Sequence, residues 1–266
     1  MAARGMAGRP VHEAIGAAIR AANARGEPAL VGFLTAGFPE RERFRDDLAR
    51  VAAAADVVEI GVPFTDPMAD GMTIQRASHA ALAQGVSLRW ILGQLAALAP
   101  RPAAPLLLMS YLNPLLAYGL ERLPAALAAA GIAGVIVPDL PFEECGALKQ
   151  ALEADGVGLV QMVTPVTPPE RLARLAAAAQ GFVYAVTMTG TTGKSVAVPD
   201  DVLAYLAAVK AVSPIPVCAG FGIRSREQVL RLRGVVDGVI VGSALVEVLE
   251  RGEDPRPFLA SLRGAA

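Results

Sequence analysis

Short apolar runs recur along the chain with longer stretches of helical spacing between them. The runs predict strands at Ala29–Thr35, Asp56–Gly61, Leu106–Ser110, Gly134–Val137, Gly158–Val163, Phe182–Thr187, Pro216–Ala219 and Gly238–Val241. The Ala/Leu/Arg segments between them predict helices, among them Arg41–Ala54, Ser87–Ala99, Glu143–Asp155, Pro168–Ala179, Asp200–Ala211 and Ser225–Arg231. Strands that are apolar throughout, rather than alternating, are expected where both faces of a sheet are covered. Alternation with helices makes the sheet parallel. Eight units in about 240 residues predict an α/β fold, a closed (β/α)₈ TIM barrel, as a single domain over residues 1–266. Residues 1–10 carry two arginines and no apolar core, and read as a disordered lead-in rather than a secretory signal. A faint repeat, Gly134-Val135-Ile136-Val137 against Gly238-Val239-Ile240-Val241, lies half a barrel apart and adds little.

Composition narrows the functional classes. The net charge is −1, from 24 basic and 25 acidic side chains, with no cationic block, so no nucleic-acid footprint is expected. Hydrophobic residues make up 54 % of the chain. Yet the longest uncharged stretches, Pro102–Leu120 and Leu175–Gly193, are broken by proline, glycine and polar residues, which argues against a membrane span. Cys145 and Cys218 are far apart and lack a ligand pattern. They read as reduced thiols of a cytoplasmic protein. His12 and His79 are too few and too distant for a metal cluster, so no metal is expected.

In such a barrel the loops after the strands build the site. Glu59 stands in an otherwise apolar strand, where a carboxylate is costly unless paired or used. From the strand alone, an internal ion pair and a functional acid are equally good readings. The following loop carries Asp66, Asp70, two prolines and Gly71, and Asp70 is eleven residues beyond Glu59, near enough to fold over the barrel mouth. Two carboxylates in different surroundings suit two roles, one in proton transfer and one as an acceptor. Gly220, Gly222 and Gly242 follow the last two strands and let backbone approach a ligand. Ser243 opens a helix whose first amides suit a phosphate. Thr187–Ser195 ends in Gly193-Lys194-Ser195 like a nucleotide-binding P-loop, but Met188 stands where that motif needs glycine. A Gly/Thr lid is the better reading. Tyr184, within its strand, reads equally as core packing or as a pocket hydroxyl.

From Leu30 to Arg263 the chain resembles the alpha subunit of tryptophan synthase. The run Glu59–Gln75 is the most specific part. Met109–Pro114 (MSYLNP), Val135–Glu144 (VIVPDLPFEE), the lid, AGFGI and GSA follow in family order and spacing. The resemblance implies retro-aldol cleavage of indole-3-glycerol phosphate to indole and glyceraldehyde 3-phosphate. It makes Glu59 the acid–base and Asp70 the acceptor of the indole N–H, with Tyr184 in the pocket. Gly193, Gly222, Gly242 and Ser243 match phosphate positions. Phe33, Met109 and Phe221 look like walls of the indole pocket, and Thr192 matches the lid threonine that meets Asp70. The resemblance implies no cofactor in this chain. It implies as partner a beta subunit that carries pyridoxal phosphate, in a complex of two alpha and two beta chains, and Asp66 and Asn113 match positions at that interface. Met72 replaces a common proline, and Gly190-Thr191-Thr192-Gly193 replaces the usual Gly-Val-Thr-Gly. Both bear on loop closure and coupling to the partner more than on chemistry.

Three other readings compete. One is a free-standing lyase that acts without a beta subunit. Another is a sugar-phosphate isomerase or aldolase barrel. A Schiff-base aldolase would need an inward lysine, and Lys149, Lys194 and Lys210, the only lysines, lie outside the predicted strands. The third is a silent barrel that only activates a partner, against which Glu59 and Asp70 argue.

Overall fold

The first strand, β1 (Ala29–Thr35), is buried along its whole length, as its unbroken apolar run requires. The computed structural model describes residues 10–187, 198–220 and 222–263. Eight more strands follow: β2 (Val57–Gly61), β3 (Leu106–Met109), β4 (Ile132–Ile136), β5 (Gly158–Leu159), β6 (Gln161–Val163), β7 (Val183–Val186), β8 (Val217–Gly220) and β9 (Gly238–Val241). All pair in parallel, in the order β5-β4-β3-β2-β1-β9-β8-β7-β6. Only Val160 separates β5 from β6, so the two ends of the sheet are halves of one strand and the barrel closes. The predicted strand Gly158–Val163 is therefore correct in place but changes neighbours midway. Its first half pairs with β4 and its second with β7. The other predicted strands fall within one or two residues at either end.

Alternation along each strand sorts side chains into two sets. Leu30, Val58, Ile60, Leu108, Val135 and Val239 point outward, into one large cluster with the surrounding helices. Ala29, Val31, Val57, Leu107, Phe182, Cys218 and Ile240 belong to a second buried cluster that fills the barrel. Ile15, Ile19 and Ala22 of the helix Glu13–Ala24 join that inner cluster and plug one end of the barrel. This helix packs at the N-terminal ends of the strands, where the Asn23 amide donates to the Asp237 carbonyl at 2.7 Å. The C-terminal ends are left for the loops, as in every barrel of this type. No helix of the described residues is long and apolar enough to cross a membrane.

Candidate active site

Glu59 sits on β2 between Val57 and Gly61, so its side chain points into the barrel with Val57. It is fully buried, and neither carboxylate oxygen has a hydrogen-bond partner among the described residues. The internal ion pair that the sequence left open is therefore not formed by any described residue. Burial first, and then the nearby Asp70 charge, push the Glu59 carboxyl up to about 8. It is a neutral acid at pH 7.

That neutrality has a measurable cost. The folded-state value, about 8, lies above the ordinary 4.5. Between those values the folded chain holds a proton that the unfolded chain releases, so stability falls as pH rises through this window. The loss above pH 8 is at most roughly 5 kcal/mol. Glu59→Gln does not titrate. Its melting temperature relative to wild type is expected to climb steadily from pH 5 to pH 8.5. A pH-independent difference in thermal unfolding would contradict the raised acid.

Asp70 lies in the loop after β2 and is mostly buried. Burial lifts its carboxyl to about 6, while a hydrogen bond from the Tyr111 hydroxyl pulls it back. It is therefore mainly ionised at pH 7. The two carboxylates are held apart in protonation by their surroundings, one acid and one anion. Tyr184, on β7, lies within reach of both carboxyl groups. Burial, then Glu59 and then Asp70 push its hydroxyl well above the ordinary range, so it remains a neutral donor.

The sequence assigned Gly220 to ligand approach, and the structure gives it another use. A Cβ there would fall 2.7 Å from Tyr184 Cε1, so the glycine makes room for the tyrosine ring. Gly61 does the same for Phe33, whose Cζ would lie 2.5 Å from an added Cβ. Phe33 pairs with Glu59 across β1 and β2, and Met109 pairs with Gly61 across β2 and β3. Phe33, Thr35, Gly61, Asp70, Met109 and Tyr111 line one cleft at the C-terminal mouth. Phe33, level with Glu59, and Met109, level with Gly61 two residues nearer the mouth, thus give the cleft its apolar wall.

Gly222 and Gly242 follow β8 and β9, which pair directly. Gly222 adopts a φ of 31° with open space around it. Gly242 caps the helix Ser243–Glu250, which begins at Ser243. The Leu245 and Val246 amides bond back to the Gly242 carbonyl at 2.9 and 3.0 Å, and those of Ser243 and Ala244 precede any intrahelical acceptor, just past the C-terminal end of β9. On the other side of Gly222, the helix Arg226–Leu232 starts at a capping box between Ser225 and Gln228, which fixes where the loop ends. Arg224 is engaged by both oxygens of Glu247, at 2.7 and 2.8 Å, and is not a free phosphate ligand.

Asp66 and Asn113 are exposed. Asn113 lines an outer apolar groove with Phe64, Thr65, Leu88, Pro114 and Tyr118, and Asp66 follows Thr65 at its edge. Thr192, Gly193 and Phe221 lie outside the described residues. Both cysteines are free and buried. No group of three or more His, Cys, Asp or Glu side chains among the described residues could hold a metal ion.

Two residues that the sequence did not single out also belong to the cleft. The Thr35 hydroxyl is buried without a partner among the described residues. An orphaned buried polar group is costly, and its place in the cleft suits a ligand contact. Tyr111 donates to Asp70 Oδ2 at 3.1 Å. A threonine ending an apolar strand and a tyrosine inside MSYLNP carry no signal of their own in one sequence.

Residues 19–263 match the sequence profile of the tryptophan synthase alpha chain family. Among curated relatives, the tryptophan synthase alpha chain of Solidesulfovibrio magneticus is 45 % identical over 247 residues, covering 92 % of this chain and 96 % of its own length. That of Nitratidesulfovibrio vulgaris is 48 % identical over 242 residues, covering 91 % and 94 %. Among solved structures, tryptophan synthase of Mycobacterium tuberculosis superposes with a TM-score of 0.86 at 37 % identity, covering 94 % of this chain and 96 % of that one. The alpha subunit from Legionella pneumophila gives 0.84 at 31 %, covering 94 % and 97 %. With its barrel, its paired carboxylates and these relatives, the chain belongs to the tryptophan synthase alpha chain family.

Proposed function

We propose that this chain cleaves indole-3-glycerol phosphate to indole and glyceraldehyde 3-phosphate, in the last steps of L-tryptophan biosynthesis. The observation that carries the reading is Glu59, a fully buried acid with both oxygens unpartnered among the described residues, close enough to feel the charge of an ionised Asp70. Protonated Glu59 delivers its proton to indole C3. The ring becomes an iminium whose N–H is held by the Asp70 carboxylate. Ionised Glu59 then takes the proton of the side-chain hydroxyl. The bond from C3 to the carbinol carbon breaks, its electron pair returns to the ring, and the carbinol carbon becomes the aldehyde. The proton count on Glu59 is restored, so one group serves both transfers.

Phe33, Met109 and Phe221 wall the indole, and Tyr184 presents its hydroxyl to the pocket. Gly193, Gly222, Gly242 and Ser243 hold the phosphate at the helix start, where amides and dipole favour an anion. Thr192 closes the lid onto Asp70. The partner is a beta subunit bearing pyridoxal phosphate, in a cytoplasmic complex of two alpha and two beta chains. It docks where exposed Asp66 and Asn113 border the apolar groove. Exposed Met68 and Leu116 near the same groove support an interface there.

The reading fixes the pH dependence of kcat/KM for indole release. Activity requires Asp70 ionised and Glu59 protonated. The profile is expected to rise as Asp70 loses its proton near 6 and to fall as Glu59 loses its own near 8. A profile still rising above pH 9 would contradict this assignment of acid and acceptor.

A further inference from the structure

Tyr111 follows β3 by two residues and is buried against the loop that carries Asp70. Its ring stacks on Phe64, with centroids 5.0 Å apart and planes at 27°. Its hydroxyl oxygen accepts the Ala69 N–H at 2.8 Å. A phenol has one proton, and with the oxygen facing an amide donor that proton goes to Asp70 Oδ2, 3.1 Å away. No described residue hydrogen-bonds Asp70 Oδ1. The backbone on either side is also held. Gln75 Nε2 donates to the Asp70 carbonyl at 2.8 Å, and the Leu112 N–H donates to Asp139 Oδ1 at 2.9 Å.

We infer that Tyr111 is a positioning residue for the cleavage, which pins Oδ2 of Asp70 through an oriented hydroxyl so that Oδ1 is presented to the indole N–H. The inference rests on the lyase reading above. A donated hydrogen bond also favours the ionised carboxylate. The other groups bearing on Asp70 are Glu59 from β2 and Tyr184 from β7, while Asp139, after β4, bears on Tyr111. None of these donates a hydrogen bond to the Asp70 carboxylate among the described residues, so Tyr111 alone opposes the effect of burial there.

The test is Tyr111→Phe, which keeps the ring and its stack but removes the hydroxyl. A hydrogen bond to a charged group is worth about 1.5–3 kcal/mol, and the lower end of that range is one pH unit. The acidic limb of the kcat/KM profile is expected to move from near 6 to about 7 or higher. The loss is then about fivefold at pH 6, nears about tenfold well below pH 6 and is smaller at pH 8, with kcat falling more than KM rises. In an Asp70→Asn background the same change should have no further effect on rate. Phe64→Leu, which removes the stack and keeps the hydroxyl, should lower the melting temperature and leave the limb in place. An unmoved limb, or an equal loss at every pH that persists in the Asp70→Asn background, would overturn the inference. Wild-type turnover separates the two readings. If wild type releases indole and the limb does not move, only the role of Tyr111 falls. If wild type releases none, the lyase reading falls first. Carbon-13 titration of the Asp70 carboxyl in wild type and Tyr111→Phe reads the same shift without any substrate.

Discussion

Glu59→Gln is expected to abolish indole release while indole-3-glycerol phosphate still binds. General acid–base catalysis contributes about 10²–10⁴-fold. Glu59 serves both proton transfers, so the loss should lie near the upper end, about 10⁴-fold in kcat or roughly 5.5 kcal/mol of transition-state stabilisation. Glutamine has nearly the same shape and fills the same space on β2, so the apolar wall of Phe33 and Met109 should persist. Binding energy comes from that wall and from the phosphate site, neither of which the substitution touches. The expected pattern is therefore a collapsed kcat with a substrate Kd within about threefold of wild type, since only transition-state interactions are lost. Stopped-flow binding and single-turnover release measure the two separately. Indole release within tenfold of wild type would remove Glu59 from the chemistry.

Asp70→Asn is expected to cut kcat about 10²–10³-fold, or roughly 2.7–4 kcal/mol. The carboxylate acts where charge develops, on the ring nitrogen of the protonated indole. Asparagine keeps a carbonyl acceptor and loses the negative charge. Ground-state binding of the neutral indole N–H should suffer far less than the cationic intermediate. Gln75 Nε2 still donates to the main-chain carbonyl of residue 70, at 2.8 Å in the wild type, so the loop should hold its place. A variant with near-wild-type turnover would show that the charge on Asp70 does not matter. One with unchanged kcat and a large rise in KM would make Asp70 a binding group only.

The barrel was legible in the sequence because its strands are short runs of Val, Ile, Leu and Ala bounded by turn residues. The pattern did not show where the barrel closes. Gly158 to Val163 reads as one strand, and only its two sets of neighbours reveal that pairing passes from β4 to β7 at Val160. The plug helix Glu13–Ala24 stayed unread, because its inward side chains Ile15, Ile19 and Ala22 are few among alanines. Its reason for being helical and buried lies in the open barrel end beneath it.

The site was legible to the extent that it breaks local rules. A single carboxylate among the apolar residues of β2 is enough to mark Glu59. The glycines of the last loops mark close approach, but they do not say by what, and at Gly220 the neighbour is the ring of Tyr184 rather than a ligand. Tyr111 breaks no rule. Its partner Asp70 is 41 residues away, and only the parallel pairing of β2 with β3 brings their loops together.

The most direct test of the account is product analysis of the purified full chain with indole-3-glycerol phosphate, alone and with a beta subunit added. The account predicts indole and glyceraldehyde 3-phosphate in equal amounts, in buffer containing EDTA, with faster release when the beta subunit is present. Failure to form both products in either condition would contradict it.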